Sequence, residues 1–289
     1  GDIDAGDTKN WNSGRGFDPI GRLNRTGNGV TGSFSGAFDG ICHSIQNLYI
    51  RQIGNQYDGY IGLFEGIGKG GSVGNVNMAG GHIEGTSNFG SIAGLNWGTI
   101  YNIVNSAELV CSSGGVGGIV GTNGGVIRNA VNNGTLKIDG RSGGITGYNG
   151  DTVWGNTGIL LDVKNNGDIT SESMGGIGGI TGINSSGSSI TGAENTGLVE
   201  LKDGGGSEVG GIRNRVIGRI QIDKGSFFYT GKNLGIVHAG KGQAGLLKVG
   251  ADSPQGRLID NIRIFVMTER RVELSGIVYP EKPVVTGFV

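Results

Sequence analysis

GGIVGTNGGVIRNAVNNGTL, residues 117–136, decides the fold, because a near copy, SIAGLNWGTIYNIVNSAEL, occupies residues 91–109 before it. Laying one on the other places Ile92 with Ile119, Gly94 with Gly121, Asn96 with Asn123, Ile100 with Ile127 and Asn102 with Asn129. The same offset of 27 extends the last pair to Asn75 and Asn156. A fixed period of about 20–50 residues marks a stacked repeat, in which each unit buries its apolar face against its neighbours. Each unit here is three short apolar pieces separated by Gly and Asn: GGIVG, then VIRN, then a piece closing on Leu136. No unit carries apolar residues at helical spacing, and each glycine costs a helix about 1 kcal/mol relative to alanine. β-Branched runs bounded by Gly and Asn are strand and turn signals. One unit therefore reads as one coil of a β-solenoid, its coils pairing as parallel strands about 4.8 Å apart.

Composition agrees with an all-β chain of many turns. Glycine supplies 64 of 289 residues, against about 7% in ordinary proteins. Gly and Asn tolerate the positive φ that repeated reversals need. Three of the four prolines, Pro254, Pro280 and Pro283, lie beyond the repeats, where no ladder donor is lost. A net charge of −1 with scattered Lys and Arg provides no surface for nucleic acid. No apolar run reaches the roughly 18 residues of a membrane span. A start at Gly1, without Met or leader, is what a mature or excised chain, or one whose start was not retained, would show, and it is compatible with a removed secretory signal. On the 27-residue register Cys111 falls with Glu84, and Cys42 with Lys69 and Asn96. The two thiols thus occupy different angles, which predicts two small buried side chains rather than a disulfide.

Taken in order, residues 1–53 read as an N-terminal cap and the first coil or coils. Phe34, Phe38, Ile41, Ile45, Leu48 and Ile50 are expected to fill them, since an end coil must have its open edge covered. Residues 54–222 are the repeats. Leu109 to Leu136 is 27 residues, Leu136 to Ile169 is 33 and Ile169 to Val199 is 30, so the later coils carry insertions, the first at residues 151–160. In solenoids insertions gather on one face, often the binding one. Residues 223–279 form a degenerate coil and a hairpin cap, signalled by alternation at Ile262, Ile264 and Val266, then Val272 and Leu274. Residues 280–289, PEKPVVTGFV, are an extended tail.

The series FSGAFDGICHSIQNLYI (residues 34–50), YIGLFEGIG, GSIAGLNWGTIYN, GGIVGTNGGVIRN and GGITGYNG resembles the GLUG-motif repeat proteins of bacterial surfaces. The likeness covers residues 11–220. Ile41 and Cys42 stand where the family pattern has Asn-Gly, which puts a tight turn there in doubt, while His43 keeps the family's His. The resemblance implies a right-handed parallel β-helix, extracellular or at the cell surface, as in adhesins and filamentous-haemagglutinin-like secreted proteins. It implies no enzyme activity by itself. Such repeats also accompany peptidase domains, but no HExxH occurs here.

Candidate chemistry is weighed against plain stacking. The Asn75, Asn102, Asn129 and Asn156 row suits a ladder of amides bonded up and down the stack, and the Ile92, Ile119, Ile145, Ile180 and Ile212 column suits the core. Asp139 and Glu172, followed by Lys202, form a charged column, the alternative acid and base of a glycan-cleaving β-helix. Asp2, Asp4 and Asp7 echo a calcium loop without its closing Glu. His43, His82 and His238 share no zinc-ligand spacing. The glycine string at residues 175–179 opens no helix, so no dinucleotide cofactor is expected. Thr146 and Thr181 align, but Val120 interrupts the flat threonine row that ice binding needs.

The expected protein is a β-solenoid of six to eight coils with an N-terminal cap and a C-terminal hairpin cap. It would act as a non-enzymatic structural or adhesive protein, without cofactor. Its expected partners are a host or cell-surface glycan or protein, or further copies of itself. Self-association would use the end coils and the tail that starts at Val284 and ends at Val289, added to a neighbour as a strand to build a filament. Glycan binding or cleavage is the alternative.

Overall fold

Among the described residues, the coils from Asn96 onward bend at the same places because the same residue types recur there. In the computed structural model the described residues are 1–26, 29–53, 59–86, 88–151, 153–171 and 176–201. Beyond them the backbone is described for Glu208–Gly210, Arg219–Ile222, Ser226–Phe227, Ile236–Ala239, Ile262–Met267 and Arg271–Gly276. One coil starts with Ala93–Asn96 on a narrow face, then follows Thr99–Asn105 and Glu108–Cys111 along the two halves of a broad face. Gly115–Gly117 crosses a third face, and Val120–Asn123 begins the next coil. Pairing is parallel throughout the stack, with Ala93, Val120, Thr146 and Thr181 in one column and Leu109, Leu136, Ile169 and Val199 in another.

The broad face belongs to a 14-stranded sheet, and the other two faces carry five strands each. The described residues thus form a parallel β-solenoid of about five turns, about 24 Å along its axis at the strand spacing. The later coils consume up to 35 residues where the first repeats take 27.

The interior is the expected apolar column. Ile92, Ile119, Ile145, Leu109, Leu136 and Ile169 are fully buried, and Ile180 and Val199 are 1% exposed. Each such side chain contributes about 1.5–3 kcal/mol of burial. Ile212 lies outside the described residues. Strand Thr99–Asn105 shows how the pattern is kept. Ile100 and Ile103 are both buried although three apart, and the left-handed Asn102 between them (φ 52) absorbs the extra residue.

That bulge recurs at Asn75 (φ 55), Asn129 (φ 53) and Asp162 (φ 50). The Asn102 amide donates to Asn75 Oδ1 at 2.9 Å, Asn129 donates to Asn102 at 3.2 Å, and Asn75 donates to Asp39 at 2.9 Å. The predicted ladder therefore exists for Asn75, Asn102 and Asn129, but not for Asn156. The insertion after residue 149 moves Ile159 opposite Val126, so the residue above Asn129 is Asp162, while Asn156 sits in the insertion bonded to Asp151.

Two further ladders are buried. Asn96, Asn123, Asn149 and Asn184 line the corner from the narrow to the broad face. Asn105, Asn132, Asn165 and Asn195 line the bend between the broad face's halves. All but Asn184 are buried. In both, the amide nitrogen donates to the next coil's Asn Oδ1 at 2.7–2.9 Å, toward the C-terminal end, opposite to the exposed ladder. Asn132 also donates to the Gly134 carbonyl and accepts from the Gly134 N–H. Its side chain thereby closes a turn the backbone alone would leave unsatisfied.

Residues 1–36 cover the first coil. Ile3–Asp4 pairs in parallel with Ile45 and Gln46, and Ile20 and Phe34 bridge to Phe64 and Ile67 on the narrow face. Phe34 and Phe38 pack on Phe64 with ring centroids 4.9 and 5.5 Å apart. Ile45, Leu48 and Ile50 are buried as expected. Ile41 is not; it is 72% exposed. Ile41 and Cys42 both adopt left-handed φ, 49° and 59°, so the tight turn forms without Asn-Gly, and Cys42 is exposed rather than buried. Holding two L-residues there costs about 1–2 kcal/mol each. The double variant Ile41→Asn, Cys42→Gly is expected to gain about 2 kcal/mol in urea unfolding; no gain would show that the turn is not strained.

Cys111 is buried, and burial pushes its thiol up to about 12, partly offset by the Ser113 N–H. It opposes Gly85 rather than Glu84, because that coil is one residue shorter than the register assumed. Ser142 faces inward between Val116 and Ile177, and its hydroxyl has no partner. Ser142→Val is expected to add about 1 kcal/mol by removing an unpaired buried hydroxyl; a lower thermal midpoint would mean the position cannot hold the larger side chain. At the far end Ile262–Met267 and Arg271–Gly276 pair as the expected antiparallel hairpin, with Ile264 opposite Leu274 and Val266 opposite Val272. The tail lies outside the described residues.

Candidate functional site

Alternate residues of the broad face's second half point outward, and parallel register lines them up across coils. Tyr49, His82 and Glu108 form one row; Arg51, Glu84, Val110 and Lys137 form the next. His82 sits between two carboxylates, its Nδ1 3.1 Å from Glu108 and its Nε2 3.6 Å from Glu84. The Tyr49 ring stacks on it at 5.5 Å. Arg51 donates to Glu84 at 2.8 Å and Lys137 to Glu108 at 2.7 Å. The cluster spans four coils.

The Lys137 ammonium holds the Glu108 carboxyl below its usual 4.5, with a smaller contribution from His82 and against slight burial. A carboxyl depressed in the folded state contributes stability above its unfolded value, and loses it as pH falls through the folded one. Wild type is therefore expected to lose stability below about pH 4.5, and Glu108→Gln to lose less. Lys137 is 66% exposed, so the difference is expected to stay under about 1 kcal/mol. Urea midpoints at pH 7 and pH 3 measure it; equal losses in both proteins would remove Glu108 from the account. Chemically, every carboxylate here already has a cation or an imidazole, the arrangement of a staple between coils.

The acid–base column from the sequence cannot be placed whole. Asp139 donates its N–H to the Cys111 carbonyl at 2.9 Å, whereas Glu172 and Lys202 lie outside the described residues. The N-terminal carboxylates serve the cap. Asp2 accepts from Ser44 N–H at 2.8 Å and lies 3.3 Å from His43 Nδ1. Asp4 accepts from Gly6 N–H and the Asn47 amide, and Asp7 lies in the 3-10 turn Gly6–Asn10. Among the described residues no group of three or more His, Cys, Asp or Glu is placed to hold a metal ion. His238 is described only as backbone, opposite Gln221.

A second constellation occupies the insertion at the corner between narrow and broad faces. Asp151 is 3% exposed. Its Oδ2 accepts from the Trp97 indole N–H at 2.9 Å, and its Oδ1 from the Val153 and Trp154 N–H groups at 3.0 and 3.2 Å. Trp154 stands nearly perpendicular to Trp97, centroids 6.2 Å apart. Gly124 lacks the side chain that would otherwise crowd Trp97, Asn156 and Asp151. Both indoles are half-buried, and Val153 beside them is 74% exposed. Sequence reading located the insertion but not this grouping, because Trp97 and Asp151 lie two coils apart.

Fold and surface together define a repeat protein, a parallel β-solenoid. No family model matches the chain, and no solved structure matches it. It is similar to halomucin of Haloquadratum walsbyi, 34% identical over 105 residues. That stretch covers 36% of this chain and spans 1% of halomucin's length.

Proposed function

We propose that this chain is a structural or adhesive solenoid displayed at the cell surface or secreted, working by binding rather than turnover. The observation that carries this reading is the outer broad face, where His82, Glu84, Glu108, Arg51 and Lys137 are spent on one another across coils. Such pairing suits a rigid rod better than a reaction centre. The GLUG-like order of motifs and the similarity to halomucin support placement outside the cell. Labelling intact source cells with a membrane-impermeant amine reagent tests the placement: the protein is expected in the labelled fraction, and labelling only after lysis would overturn it. Incubation of the full chain with a glycan panel tests the rest, since release of shorter saccharides would replace the binding reading with the cleaving one.

A further inference from the structure

We propose that the Trp97–Trp154 corner is a binding subsite for a pyranose ring of an uncharged glycan. The proposal rests on the adhesive reading and supplies its ligand class.

The corner is built rather than incidental. Burying a carboxylate is costly unless it is fully hydrogen-bonded, and Asp151 accepts three bonds that fix both tryptophans. One bond sets the Trp97 ring through its indole N–H; the other two set the backbone from which Trp154 projects. The insertion is closed at its base by Asp151 and Asn156, which exchange backbone bonds of 2.7 and 3.1 Å. Two rings held at 79° make an L-shaped apolar wall whose polar handle is already satisfied. An indole face of this kind matches the C–H face of a pyranose, while the sugar's hydroxyls need amide and hydroxyl partners at the rim. Asn156, beside Trp97 across Gly124, supplies an amide there. Gly155, left-handed at φ 69 with open space around it, leaves the approach clear.

Charge selects the class of sugar. Asp151 places a negative charge at the N–H edge of the Trp97 ring, and in a poorly solvated corner like charges repel strongly. An acidic sugar is therefore disfavoured.

Isothermal titration of the full chain with hexasaccharides of β-glucan, mannan and galactan tests the proposal, with a uronate hexasaccharide as the charged arm. At least one neutral hexasaccharide is expected to bind, the uronate at least tenfold more weakly. Trp154→Ala is expected to weaken binding at least tenfold at an unchanged thermal midpoint. Should that variant unfold, saturation-transfer NMR on the wild-type chain reads the same contact, as transfer from indole protons to one face of the sugar ring. No binding of any neutral hexasaccharide, tight uronate binding, full affinity in a folded Trp154→Ala variant, or transfer without indole contact would each overturn the site. Surface labelling and sugar binding fail separately, so a protein that binds but is not labelled loses the location and keeps the subsite.

Discussion

Asn132→Leu is expected to lower the unfolding free energy by about 3–5 kcal/mol, although leucine has the same branched shape and number of side-chain heavy atoms as asparagine and the site is completely buried. The side chain makes four bonds: to Asn165 at 2.7 Å, from Asn105 at 2.7 Å, and to and from Gly134 at 3.0 and 3.2 Å. Leucine gains apolar contact but strands the groups at the other ends of those bonds, and each buried orphan costs about 1–3 kcal/mol. Partial relaxation keeps the total below the sum. Exchange of both partners can be neutral, but a ladder member has partners on two coils, so single replacement always leaves orphans. Urea unfolding measures the effect; a loss under about 1 kcal/mol would mean that water replaces the missing amide.

Gly144→Ala is expected to cost about 3 kcal/mol, at the upper end of ordinary overpacking. A methyl group there meets the Asn165 side chain, with Asn165 Cβ at 2.5 Å, and the Gly179 carbonyl. Neither can retreat, because the Asn165 amide is fixed by Asn132, Asn195 and Gly167. The matched control is Gly70→Ala, where nothing lies within 4 Å but φ is +85°; it is expected to lose only the left-handed penalty of about 1 kcal/mol. A loss at Gly144 no larger than that at Gly70 would show that the ladder gives way around the methyl group, since Gly144 has no left-handed φ to account for a loss.

These two residues mark what the sequence revealed and what it concealed. The period of 27 exposed the stack and the Asn75 row, which depend on regular spacing, and the recurring GGI-type motif exposed the Ile column across unequal steps. It failed where a coil departs from 27. Counting across the insertion selected Asn156, whereas the coil of 33 residues brings Asp162 above Asn129. Counting 27 from Glu84 reached Cys111, whereas a step of 26 brings His82 to Glu108. In a strand an error of one residue exchanges inside for outside, so the outer ion cluster was invisible while the core was plain. Asn132 lay within the first stretch quoted, yet its amide reads as an ordinary turn residue until Asn105 and Asn165 are known to stack on it. Trp97 and Asp151 belong to different coils, and no local pattern joins them.

The direction of the amide ladders gives the rod two unlike poles. In both buried rows every side-chain amide is aligned head to tail, N–H toward the C-terminal coils and oxygen toward the cap. Aligned dipoles sum, as they do along a helix. The exposed row runs the other way, but water screens it while the core leaves the buried rows nearly unscreened. The solenoid is therefore a small electret, in which each added coil finds the one beneath already polarised in its favour.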